Sequence, residues 1–158
     1  MLRDLARRLD AWVTDRNAEL RLEGMPAYRP CQIRVLGQAA LLESGLPLHL
    51  SATRDVDVRA DYEHAVEAEF GRLLRASGRD LDPVGHEARM PTETTYTPLY
   101  SGRNVTLLVA DPDAVLVSKA LKAPAKNRPL IVEYLAKGAS PRFLRLCKRY
   151  AVDLEQFA

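Results

Sequence analysis

Residues 33–58 read I-R-V-L-G-Q-A-A-L-L-E-S-G-L-P-L-H-L-S-A-T-R-D-V-D-V. The apolar run Ile33–Leu36 ends in Gly37 and passes directly into the helix-prone residues Gln38 to Leu42, a strand–glycine–helix pattern. Asp55 and Asp57 then stand two residues apart, between Val56 and Val58. In a strand, alternate side chains share a face, so the two carboxylates project together while the valines pack behind them. Carboxylates about 6–7 Å apart along a strand suit magnesium or manganese, hard ions that take oxygen ligands and bridge to phosphates. Glycine has no Cβ to hold a phosphate away from the backbone, and a helix N-terminus favours an anion. A bare strand-to-helix turn at Gly37 is an equally good reading. Together, a phosphate cradle and a carboxylate pair on consecutive strands point to phosphoryl or nucleotidyl transfer.

The 158 residues suffice for one domain with its own core. Apolar residues make up 47% and charged residues 28%, so the composition is that of an ordinary globular chain. With a net charge of only +2, nucleic-acid contacts would have to come from local clusters. Cys31 and Cys147 have neither metal-ligand spacing nor a disulfide pattern, and read as buried thiols. No apolar run is long enough for a membrane span, and the charged N-terminus is no secretory signal. The chain therefore reads as soluble, cytoplasmic and without a membrane partner.

Around the central stretch, Leu2, Leu5, Leu9 and Val13 predict an amphipathic helix, with a second helical stretch over 17–22. Asp55 to Arg59 form the second strand, and Tyr62, Val66, Phe70, Leu73 and Leu74 mark the next helix. Residues 80–91 are polar and read as an exposed connection. Thr94–Tyr100 and Val105–Val109 predict a hairpin. Asp111-Pro112 opens a helix that stops at Pro124, a further helix spans about 129–137, and Ser140-Pro141 starts the last one. The expected architecture is α/β (α+β): a mixed sheet packed against helices, with helices gathered at the C-terminal end.

The ordered set G-x-A-A, T-x-D-V-D-V, A-D-P-D-A-V-L-V-S-K and K-N-R-P-L-I-V-E resembles the nucleotidyltransferase (polymerase-beta-like) fold. Within it, the chain looks most like the minimal bacterial AbiEii toxin-like proteins. The resemblance covers roughly residues 33–138, a core of about 31–138 flanked by helices at 2–22 and 140–150. It implies that Asp55 and Asp57 bind the metals, that Gly37, Gln38 and Thr53 lie at the nucleotide, and that Lys119 contacts the triphosphate. It further implies a nucleoside triphosphate donor, an RNA (such as tRNA) or protein acceptor, and an antitoxin or other partner protein. The departures are Gln38 where the superfamily has glycine or serine, a longer loop before Asp55, and no third carboxylate on the hairpin strands. Glu133 falls near a family aspartate. Lys119 reads equally as a lysine whose stem lies along the core edge. Lys122, Lys126 and Arg128 either extend the phosphate site, where Lys122 joins the nucleotide contacts, or form a solvated helix end. Arg142, Arg145, Lys148 and Arg149 offer the last helix as an RNA-tracking face or as an ordinary cationic helix terminus.

Overall fold

The computed structural model describes residues 1–158. The first helix, α1, runs unbroken over Leu2–Leu22 instead of as two stretches. Its apolar stripe is interrupted by Asp10 and Asn17, yet both are buried because each holds a distant piece of backbone. Asp10 accepts from the Tyr100 hydroxyl (2.6 Å) and from the Asn104 backbone N–H (2.8 Å). Asn17 Oδ1 accepts from the Tyr28 N–H at 2.8 Å. The hydrogen bond to Asp10 is the main reason the Tyr100 hydroxyl is pushed up to about 12. Asp10→Ala leaves two half-buried donors without their charged acceptor and is expected to cost about 1–3 kcal/mol. A lowered urea midpoint with unchanged m-value would register that loss.

Strand β1 (Cys31–Val35) alternates strictly, with Cys31, Ile33 and Val35 buried and Gln32 and Arg34 exposed. It is followed by helix α2 (Gly37–Ser44). The expected single strand over 55–59 is two short ones, β2 (Asp55–Val56) and β3 (Val58–Ala60). The chain changes sheets between them, at Asp57. After helix α3 (His64–Ala76), strand β4 (Asp80–Leu81) pairs in parallel with β2. Strands β5 (Tyr96–Ser101) and β6 (Val105–Ala110) form the expected hairpin. The main sheet has the order β3-β1-β6-β5, with β1 parallel to β6 and antiparallel to β3. The chain is thus mixed α/β, and both Val56 and Val58 lie in its core behind the aspartates.

Residues 80–91 are not a loose connection. Besides β4 they contain a 3-10 turn, Gly85–Glu87, and their backbone is held from two sides. Arg59 donates to the His86 and Ala88 carbonyls, and the Ser118 hydroxyl donates to that of Arg89. A polar composition concealed this, because the segment is anchored through main-chain atoms.

Helix α4 (Pro112–Lys122) begins as expected, with Asp111 accepting from the Ala114 N–H at 2.9 Å. Helix α5 starts at Pro124, earlier than expected, and runs to Ala136. Pro124 fits the first helical turn, where its missing N–H costs nothing, and Pro129 falls inside the helix. Asn127 secures the junction by donating to the Lys119 and Ala123 carbonyls. Helix α6 (Pro141–Arg149) is capped by Ser140 and buries Phe143, which meets Tyr134 edge-on at 5.0 Å. Cys31 and Cys147 are both buried, and burial pushes both thiols up to about 11. No helix is long and apolar enough to cross a membrane.

Candidate functional site

Asp57 sits where the chain leaves β2 and enters β3, and backbone bonds on both sides fix it there. The Leu36 N–H donates to the Asp57 carbonyl (2.8 Å), and the Asp82 N–H donates to that of Val56 (3.0 Å). Two glycines make room for the side chain. A Cβ on Gly37 would come within 2.5 Å of Asp57 Oδ2. One on Gly85 would come within 2.7 Å of the Asp57 Cα and 2.8 Å of its Oδ1. Gly37 also has φ +60°, the left-handed conformation that glycine adopts without strain. No side chain caps α2, so its first N–H groups are left to water or a ligand.

Asp55, Asp57, Gly37, Gln38, Thr53, Lys119 and Lys122 all border one open cleft of about 280 Å³. All seven of these residues, expected at the metal or the nucleotide, are therefore at the cleft. The lining also includes Asp82 beside Asp57 and Lys126 and Asn127 from α5. Asp82 is the residue that sequence reasoning missed: it supplies a third carboxylate from β4's flank, not from the hairpin. The only sequence trace of it was Asp80-Leu81-Asp82, a short alternation within a polar segment.

Opposite charges face each other across the cleft. Asp55, Asp57 and Asp82 come from the β2 and β4 side of the lining, and Lys119, Lys122 and Lys126 from α4 and α5. None of these six side chains takes part in any of the protein's ion pairs. Burial, followed by hydrogen bonding with Asp82 and the charge of Asp82, raises Asp57 above the usual carboxylate range, against the pull of Lys122 and Lys119. Burial likewise lowers Lys119 below the usual ammonium range, helped by Lys126 and Lys122 and opposed by Asp57. Each group would be better satisfied by an opposite charge placed in the cleft.

Two expected contacts take a different form. The Thr53 hydroxyl donates to the Asp55 carbonyl at 2.9 Å, so it steadies backbone and not a carboxylate. Gln38 Nε2 donates to the Ser51 carbonyl at 2.9 Å, tying down the long loop after α2. Glu133 is not at the cleft. It fastens the same loop, accepting from the His49 N–H (3.0 Å), pairing with its ring Nδ1 (2.8 Å) and pairing with Lys137 (2.9 Å). Arg128 is not a phosphate ligand either: it donates to the Gln156 and Ala158 carbonyls. On α6, Arg142 binds Asp111 and Arg149 pairs with Glu93, which leaves Arg145 and Lys148 unpaired on that face.

Lys137 foremost, then His49, hold the Glu133 carboxyl at about 2, against its ordinary 4.5. A depressed carboxyl stabilises the fold fully above its unfolded value. That contribution fades as the pH falls from about 4.5 towards about 2. Glu133→Gln is therefore expected to be less stable than the wild type at neutral pH. The difference should close within that acid window, as read by unfolding curves at several pH values.

Asp55 and Asp57 offer hard oxygen donors that match magnesium or manganese in chemistry, and Asp82 stands beside them. They are not drawn into a compact group of three or more ligands of the kind that holds an ion by protein atoms alone. An ion bound through one or two carboxylates plus substrate phosphates needs no such group. Comparison with protein-family models, curated proteins and solved structures finds no match to this chain.

Proposed function

We propose that the protein is a metal-dependent nucleotidyltransferase, moving a nucleoside monophosphate from a nucleoside triphosphate to an RNA or protein acceptor. The observation that carries this reading is the cleft with unpaired carboxylates on one wall and unpaired lysines on the other. A triphosphate with a divalent cation has the matching charges, and no side chain of either set is held in an ion pair.

Asp55 and Asp57 would hold magnesium or manganese, which when bound polarises the phosphate and activates the acceptor oxygen. Lys119, with Lys122 beside it, neutralises the triphosphate, and the turn at Gly37 lets a phosphate approach the uncapped start of α2. The acceptor oxygen forms a bond to the α-phosphorus, and the bond from that phosphorus to the bridging α–β oxygen breaks. Pyrophosphate leaves with the bonding electrons, and the hydroxyl proton passes to water in the open cleft. The resemblance of the site stretch to AbiEii-type proteins adds a toxin-like role with an antitoxin partner to the same proposal.

A second reading is a module of the same fold that binds a nucleotide without transferring it. Gln38 favours that reading because its amide is committed to Ser51, as does Glu133 because it lies away from the cleft.

Transfer of label from each α-labelled nucleoside triphosphate into RNA and protein decides between the two readings. Wild type would be assayed beside the Asp55→Ala, Asp57→Ala double variant, with magnesium or manganese. The transferase reading expects label from wild type alone. Nucleotide binding with no transfer to any acceptor selects the module, and absence of both removes the site reading.

A further inference from the structure

The cleft opens on its α5 side into a second cavity of about 360 Å³. Gln38, Thr53, Lys119, Lys126 and Asn127 border both spaces, so a group in one abuts a group in the other. Past this shared wall, the second cavity is bounded by residues 49–52 and by Pro129 and Leu130.

The second cavity differs from the cleft in charge. Its lining includes Lys119, Lys126 and His49 but no aspartate or glutamate. The Glu133 carboxylate, which holds His49 at the cavity's edge, is already occupied by His49 and Lys137. An anion there meets only neutral or cationic side chains, and apolar walls strengthen such a field. No Phe, Tyr or Trp borders the cavity, so it offers no platform on which a base can stack.

The loop backbone is fixed at three points. The Ser51 carbonyl is taken by Gln38, the His49 N–H by Glu133 and the Pro47 carbonyl by Lys137. Side-chain cations remain, and these recognise phosphates.

We propose that the second cavity admits the acceptor, and that the acceptor is a single-stranded nucleic-acid end held by its phosphodiesters without regard to base. This rests on the transfer reaction proposed above. The terminal hydroxyl then reaches the shared wall beside Asp55 and Asp57, while the preceding phosphates lie along Lys126. The carboxylates repel the rest of the polyanion and so set how far it enters.

Short oligo-A, oligo-C and oligo-U ribonucleotides, end-labelled for fluorescence anisotropy, test this across a range of salt concentrations. Wild type is expected to bind all three within about threefold of one another, with affinity falling as salt rises. Lys126→Ala should lower the log–log salt slope by about 0.7, the share of one neutralised phosphate on a single strand. Lys148→Ala, on the exposed face of α6, should leave the slope unchanged. No oligonucleotide binding, a strong base preference, or an equal loss with Lys148→Ala would overturn the proposal. The transfer assay separates this failure from failure of the chemistry. Label entering protein but never RNA removes the nucleic-acid acceptor and keeps the transferase, whereas failure to bind metal–nucleotide removes the transferase itself.

Discussion

Asparagine in place of Asp57 is expected to stop nucleotidyl transfer while leaving the protein as stable as before, or more stable. Asparagine keeps the shape of the side chain, so the space between Gly37 and Gly85 stays filled. It removes the charge that places a metal against the α-phosphate, and losing preorganised charge stabilisation of this kind costs about a hundredfold or more in rate. Stability should move the other way. The folded site raises the affinity of Asp57 for its proton through burial and Asp82. Such a carboxyl stabilises the fold below its unfolded pKa, and that contribution is lost as the pH rises through the folded value. At neutral pH the ionised carboxylate is therefore a burden on the empty site. A melting temperature at pH 7 that holds or rises, alongside lost transfer, would mark Asp57 as retained for function at the expense of stability. Transfer surviving at the wild-type rate would remove Asp57 from the reaction.

The second large effect is expected from Gly85→Ala. Gly85 is buried, and its φ is not in the left-handed region, so the backbone itself accepts alanine. The space does not. The new methyl group would stand 2.7 Å from the Asp57 Cα, a main-chain atom held between two sheets. Forcing these segments apart costs about 1–3 kcal/mol and displaces the carboxylate. A fall in melting temperature together with lost metal–nucleotide binding is the expected result. At Gly37 the nearest obstacle is the carboxylate end of Asp57, so the contact falls directly on the functional group.

These two glycines show what was legible in the sequence. Gly37 could be read because its role is local: an apolar strand stops and a helix begins within a few residues. Asp55 and Asp57 were legible on the same terms, through strand alternation, whereas Lys119 was pointed to only by the family resemblance. Gly85 and Asp82 were not legible, because they reach the site through the parallel pairing of Asp55 with Asp80, distant in sequence. Nothing in a polar stretch announces that its backbone will be bonded by Arg59 and Ser118. Asn17 misled for a related reason: a polar residue at the head of a second helical stretch carries no local sign of its bond to Tyr28. Gln38 and Thr53 were expected at the nucleotide and Glu133 near a family aspartate, but the bonds they make, to the Ser51 and Asp55 carbonyls and to His49 and Lys137, are encoded by no spacing rule.

The charged cleft is expected to bind a metal–nucleotide complex between Asp57 and Lys119. Calorimetric titration of each nucleoside triphosphate with manganese, into wild type and into Lys119→Ala, tests it most directly. Saturable binding that requires the metal is expected, weakening by at least about tenfold, or 1.4 kcal/mol, in the variant. No binding of any triphosphate in the presence of metal, or binding indifferent to Lys119, would contradict it.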